Sequence, residues 1–151
     1  MKYKTEISAG GIVYKKLPAT PYTLYPVLWL ITKHSQNKHW GFPKGLIGDN
    51  IKHEAAETAA LREVGEEGGV KAKIINHQPI IIKYKYRFND TLIDKTVYYF
   101  LMEYLSGDPK NHDWEVDEAK FVEENEALNT LTYNTEKKAL QQILQIAKND
   151  V

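Results

Sequence analysis

With 151 residues, 42% of them apolar and 26% charged, the chain has the composition of an ordinary globular protein and enough length for one domain with a buried core, expected over 1–151. Twenty basic and twenty acidic residues cancel, which argues against a general nucleic-acid binder, and the absence of cysteine excludes disulfides, thiolate zinc sites and cysteine nucleophiles. Met1 to Ser8 lacks an apolar signal core and no apolar run approaches the roughly 20 residues that span a bilayer, so a soluble, cytoplasmic monomer or homodimer with no membrane partner is the expectation.

Residues 4–14 predict a strand, and its Gly10-Gly11 pair suggests a bulge or a close backbone approach. A proline-bearing turn follows over 18–21, then a buried strand over 27–32. Residues 33–53 are polar and rich in glycine, which predicts a long loop of the kind that usually carries function.

From Glu54 to Glu67 the periodicity turns helical, with Ala55, Ala56, Ala59, Ala60, Leu61 and Val64 supplying the apolar side and Gly68-Gly69 the stop. Residues 70–76 and 80–88 predict strands, and the second alternates Ile82, Tyr84, Tyr86 and Phe88 against cationic neighbours. Asn89-Asp90 starts a turn, and residues 96–104 form the strongest strand signal in the chain. A loop over 106–113, a strand over 119–122, a short helix over 124–131 and an amphipathic helix over 135–148 complete the series. One central helix among many strands points to an α/β protein with a mixed sheet covered by helices.

The chemistry concentrates in Arg62-Glu63-Val64-Gly65-Glu66-Glu67. Residues 63, 66 and 67 are three and four apart, so their carboxylates crowd one side of a helix and repel one another. They also stand at the helix C-terminal end, where the macrodipole disfavours anions by roughly 0.3–1 kcal/mol. Gly65 inside the helix costs about 1 kcal/mol more against alanine. Selection for stability alone would rarely combine these features, whereas a hard divalent cation such as Mg²⁺ or Mn²⁺ removes the first two penalties.

The wider pattern is Gly48, five residues, Glu54, seven residues, Arg62-Glu63-Val64, one residue, Glu66-Glu67, one residue, Gly69-Val70. It resembles the full Nudix box at every fixed position. The resemblance implies an α/β/α sandwich with a central mixed β-sheet, and Mg²⁺-dependent hydrolysis of a phosphoanhydride bond in a nucleoside diphosphate linked to another moiety. It further implies that Glu63, Glu66 and Glu67 bind metal and activate water, with Arg62 and Glu54 orienting them. The family's box usually starts at the glycine of Pro-Lys-Gly, whose carbonyl is a metal ligand. Here Pro43-Lys44-Gly45 lies three residues early, so either Gly45 with an insertion or a shifted start at Gly48 supplies that carbonyl.

Two segments narrow the resemblance. His39-Trp40-Gly41-Phe42-Pro43-Lys44-Gly45 and Lys95-Thr96-Val97-Tyr98-Tyr99-Phe100-Leu101 are similar to stretches of the asymmetrical diadenosine tetraphosphate hydrolases. That subgroup implies a small-molecule nucleotide partner, cleaved to ATP and AMP, with Lys44 and Lys95 on phosphates. Tyr86, Phe88 and Tyr133 become candidates for stacking on a base and His39 a candidate contact. Glu115 takes the place of a late acidic residue in those enzymes, with Glu118 as the alternative. Rival readings are a (deoxy)nucleoside triphosphate or sugar-nucleotide pyrophosphohydrolase and a non-catalytic nucleotide-binding regulator of the same fold.

Overall fold

A computed structural model describes residues 1–18, 27–47 and 55–149. The elements run β1 (Lys2–Lys16), β2 (Val27–His34), β3 (Trp40–Gly41), β4 (Lys44–Leu46), α1 (Ala56–Gly68), β5 (Val70–Ile74), β6 (Ile80–Phe88), β7 (Thr91–Gly107), a 3₁₀ turn over Pro109–Asn111, β8 (Val116–Val122), α2 (Glu124–Thr130) and α3 (Asn134–Asn149). Gly48 and Glu54 lie outside the described residues, as does most of the turn expected over 18–21.

The strands make one mixed sheet with the path β3-β2-β1-β7-β5, while β4 pairs with β1, β6 with β7 and β8 with β2. Its spine is the parallel pairing of β1 with β7, in register from Lys2 opposite Thr91 to Tyr14 opposite Glu103. Side chains alternate across these strands. Ala9, Val13, Leu30, Phe100 and Met102 pack on one face with Ala59, Ala60 and Val64 of α1. Ile12, Trp29, Ile31, Val97 and Tyr99 pack on the other with Ala127 and Leu131 from the α2 region and Ala139, Leu140 and Ile143 of α3. Each buried aliphatic side chain contributes roughly 1.5–3 kcal/mol relative to exposure. The α/β/α sandwich expected from the sequence is the architecture found. Among the described residues no helix is long and apolar enough to cross a membrane.

Two departures bear on the site. The segment expected to be one long loop holds strands β3 and β4, because the glycines of β1 let the chain lie close. A Cβ on Gly10 would sit 2.2 Å from the Pro43 carbonyl oxygen, and Gly10 pairs with Lys44 in the sheet. Strand β7 also begins earlier than the sequence suggested, at Thr91, because Asn89 takes the turn with φ of 54°. Lys95 therefore does not close the hairpin. It lies inside β7 opposite Tyr84 and is only 8% exposed.

Candidate active site

Helix α1 ends where the sequence placed its stop, with Gly69 left-handed at φ 72° and its N–H on the Gly65 carbonyl. The last turn of the helix lies against β4 and the loop before β8, where the Asp113 N–H donates to the Glu66 carbonyl at 2.8 Å. Glu63 and Glu67, one turn apart, are 5% and 6% exposed, while Glu66 stands half-exposed beside them. The Arg62 guanidinium donates to Glu63 Oε1 at 2.9 Å and to Glu66 Oε2 at 3.0 Å, the second an i,i+4 pair. Arg62, expected to orient the cluster, thus touches two of its three carboxylates.

Burial pushes the Glu63 carboxyl up to about 7; Arg62 opposes that rise, and Glu66 and Glu115 add to it. Burial pushes Glu67 further, to about 8, against the pull of Lys44 and its backbone N–H and with the push of Glu63 and Glu115. These two helical carboxylates are paid little by their surroundings for carrying charge.

The Pro43-Lys44-Gly45 stretch faces them. The Lys44 N–H donates to Glu67 Oε1 at 3.2 Å. Gly45 lies against the Glu63 carboxylate, where a Cβ would come within 2.1 Å of Oε1. Of the two glycines the sequence left open, the described one packs directly on the acidic cluster. Burial alone would lower the Lys44 ammonium, but Glu136, Tyr84, Glu67 and Tyr133 together hold it above its ordinary value.

These groups line a cleft of about 350 Å³ that also takes in Lys95, His39, Tyr133, Glu115, Trp114 and Glu136. Lys95 donates to Glu6 Oε1 at 3.4 Å; burial pulls its ammonium down, and Glu6 partly offsets that pull. His39 and Tyr133 meet edge to face with ring centroids 5.0 Å apart, and the Tyr133 hydroxyl reaches the His39 Nδ1. Of the two late acids, Glu115 lines the cleft, whereas Glu118 sits on β8 opposite Lys33, paired with Lys120 at 3.7 Å.

Tyr86 and Phe88 are not brought to the cleft. Both are exposed on β6, Tyr86 donating to Glu6 and Phe88 standing at the hairpin end beside the turn. Their alternation marked a strand face that changes along its length: Ile82 is buried in the core, Tyr84 stands near Lys44 and Tyr133, and Tyr86 and Phe88 lie beyond the cleft lining.

Sequence reasoning missed Glu136 and Trp114. Glu136 carried a usable signal, since it falls on the apolar stripe of α3 at i to Ala139, Leu140 and Ile143 at i+3, i+4 and i+7. Trp114, 76% exposed in a loop, carried none.

The NUDIX domain family pattern matches residues 25–143, most of the chain. The chain belongs to the Nudix family. Its sequence is 30% identical over 138 residues to a Mycobacterium tuberculosis protein named mutator protein MutT4, covering 91% of this chain and 54% of that one. The chain therefore spans about half the length of that relative. Among solved structures, the binary complex of the C. elegans Ap4A hydrolase superposes with a TM-score of 0.68 at 23% identity, covering 95% of this chain and 98% of that one. The E. coli dihydroneopterin triphosphate pyrophosphohydrolase gives 0.65 at 17% identity, with 94% and 97% covered. The NUDIX domain of Shewanella oneidensis NrtR, complexed with ADP ribose, gives 0.65 at 15% identity, with 95% and 88% covered.

Among the described residues no three Asp, Glu or His side chains already converge as a finished metal cage. The donor set nonetheless suits a hard cation. It is all oxygen, two of its carboxylates are buried and raised toward neutrality, and Gly45 leaves their approach open.

Proposed function

We propose that this Nudix hydrolase cleaves a phosphoanhydride bond in a nucleoside diphosphate-linked substrate, and that diadenosine tetraphosphate, giving ATP and AMP, is the substrate class it suits best. The observation that carries the reading is the buried Glu63–Glu67 pair, in contact with the Lys44-Gly45 backbone and lining a cleft with two lysines and an aromatic pair. A bound Mg²⁺ would neutralise charge on the diphosphate and acidify the attacking water, with Glu63, Glu66, Glu67 and the Gly45 carbonyl as its holders.

The chain's own groups supply the rest. Water oxygen bonds to phosphorus, the bridging P–O bond breaks, and the proton passes to a carboxylate. Glu63, Glu66 and Glu67 all line the cleft, and a carboxylate among them that is not taken up by the cation is placed to accept it. Arg62 fixes the direction of Glu63 and Glu66. Lys44 and Lys95 bring positive charge to the phosphate chain, and Tyr133 with His39 offers a platform for a base. The C. elegans neighbour is named for the same substrate, and the resemblance of the 39–45 and 95–101 segments points the same way.

A second reading, hydrolysis of a nucleoside triphosphate, is favoured by the single edge-to-face pair His39–Tyr133, which suits one base, and the E. coli neighbour is named for a triphosphate. One assay separates the two. Purified protein is incubated with diadenosine tetraphosphate and Mg²⁺, the products are identified by chromatography, and Glu67→Gln serves as control. ATP plus AMP, abolished by the substitution and by chelator, supports the first reading. Turnover only of triphosphates or sugar nucleotides keeps the chemistry and replaces the substrate, and silence across the panel overturns both in favour of a non-catalytic nucleotide binder.

A further inference from the structure

Helix α3 places a carboxylate where an amphipathic helix should be apolar. Glu136 is 6% exposed and shares its face with the core residues Ala139, Leu140 and Ile143. A carboxylate so buried is tolerated only with donors around it. Two are present, and both reach the same oxygen: the Tyr99 hydroxyl donates to Oε2 at 2.6 Å and the Phe42 N–H at 3.1 Å. Gly41 makes room for this arrangement, since a Cβ there would lie 2.8 Å from Oε2 and 2.9 Å from Oε1.

The donors come from β7 and from the segment that ends β3, so one side chain ties three separate parts of the fold together. Two residues beyond Phe42, the same segment delivers the Lys44 N–H to Glu67 and then sets Gly45 on Glu63. Just before it, Trp40 and Thr132 exchange two bonds, the Trp40 N–H to the Thr132 hydroxyl at 2.9 Å and the Thr132 N–H to the Trp40 carbonyl at 3.1 Å. Glu136 sits between that anchor and the acidic cluster.

We propose that Glu136 is a positioning residue: its carboxylate clamps Gly41–Phe42 to α3 and β7, and so holds Lys44 and Gly45 in register with Glu67 and Glu63. The kinetic arm of its test rests on the proposed hydrolysis; the clamp itself does not. A glutamine carbonyl can accept both hydrogen bonds, so the clamp survives loss of the charge. Alanine leaves the Tyr99 hydroxyl and the Phe42 N–H buried without a partner.

The test compares Glu136→Gln with Glu136→Ala by steady-state kinetics and by amide hydrogen exchange followed in NMR spectra. Small misplacements of a catalytic group cost large factors in rate, so Glu136→Ala is expected to lose at least about tenfold in kcat with KM within about threefold. Glu136→Gln is expected to keep kcat within about threefold of the parent, while KM shifts with the loss of the charge beside Lys44. The Phe42 amide should exchange faster in the alanine variant alone, and the Lys44 and Gly45 amide signals should move with it. An unchanged Phe42 amide in Glu136→Ala overturns the clamp, as does a glutamine variant as impaired as the alanine one, which would mean that the charge acts directly. An unchanged kcat in Glu136→Ala overturns it too. If the parent protein hydrolyses nothing, the proposed function fails while the amide exchange still decides the clamp. Should Glu136→Ala not fold, Tyr99→Phe takes its place: a partial loss of Phe42 protection supports the clamp and full protection overturns it.

Discussion

The acidic end of α1 and the wall of the cleft opposite it are built in different ways. At the helix end a single element supplies Arg62, Glu63, Glu66 and Glu67, and their relations follow from one helical turn. On the facing wall, Lys44, Lys95, His39 and Tyr133 come from β4, β7, the loop before β3 and the turn before α3, and meet through sheet pairing and the Trp40–Thr132 hydrogen bonds. The helix end carries electrostatic cost, with two buried carboxylates raised toward neutrality. On the wall, each lysine stands near a counter-charge, Glu136 and Glu67 for Lys44 and Glu6 for Lys95. The contrast separates a region whose carboxylates are poorly compensated, and so gain from an added positive charge, from one whose lysines already stand near carboxylates.

The most demanding test of that contrast is the pH dependence of stability without metal. Glu63 and Glu67 bind a proton more tightly in the fold, at about 7 and about 8, than at their ordinary value of 4.5. Their contribution is therefore fully present below about pH 4.5 and is lost as pH rises through 7 and 8. The loss is expected to be on the order of a few kcal/mol, since one unit is worth about 1.4 kcal/mol. Thermal melts in chelator should fall between about pH 5 and pH 8.5, Glu67→Gln should flatten the fall, and Mg²⁺ should restore the parent at high pH. A melting temperature that rises over that window would show that the pair is not strained.

Gly45 is where the two regions touch, and a side chain there should part them. A Cβ 2.1 Å from the Glu63 carboxylate forces a shift in one or the other. Gly45→Ala is expected to lower kcat by about 10²-fold, because misplacement of about 1 Å costs that much. Full activity in Gly45→Ala, measured with the same nucleotide panel, would mean that the carbonyl at this position takes no part.

Legibility from sequence divides along the same line. The spacing 63, 66, 67 places carboxylates by helix geometry alone, and the Gly68-Gly69 stop was readable for the same reason. The succession of the main elements along the chain and a mixed sheet covered by helices were readable from periodicity, whereas the α/β/α sandwich came with the Nudix resemblance. The tyrosine stripe of β6 was a different matter: period two reveals that Tyr84, Tyr86 and Phe88 share a face, but only the fold shows that Tyr84 stands near Lys44 and Tyr133 while Tyr86 and Phe88 do not line the cleft. Lys95 was misplaced at a turn because the strand signal begins at Thr96, while Asn89 lets the strand start at Thr91. Glu6 as its partner depends on the parallel register of β1 and β7, which puts Glu6 opposite Lys95 and which no local pattern encodes.

The wall can be sharpened by separating its aromatics. Tyr133, half-exposed in the cleft against His39, is expected to stack on a base, so Tyr133→Ala should cost roughly 1–3 kcal/mol of binding, seen as a higher KM. Phe88→Ala, at the end of the hairpin, should leave KM within about twofold, as surface changes usually do. The reverse outcome would mean that the β6 hairpin reaches over the substrate and that the base lies outside the cleft described here.

The smallest effect tests whether the acidic end is costly in its backbone as well as its charges. Gly65 is an exposed residue inside α1, and a Cβ there would meet only the Val70 carbonyl oxygen, at 3.9 Å, an ordinary contact. Its carbonyl still accepts the Gly69 N–H after substitution, so the helix stop is untouched. Gly65→Ala should therefore stabilise the protein by about 1 kcal/mol and raise the melting temperature by roughly 2–4 °C. Activity should not change, because the new methyl points away from Glu63 and Glu67, both of which are buried on other sides of the helix. A stabilised protein with lower kcat would show that this turn must move during the reaction, and that the glycine is kept for motion. A stabilised and fully active one would confine the strain at this end of the helix to its carboxylates, where a cation can relieve it.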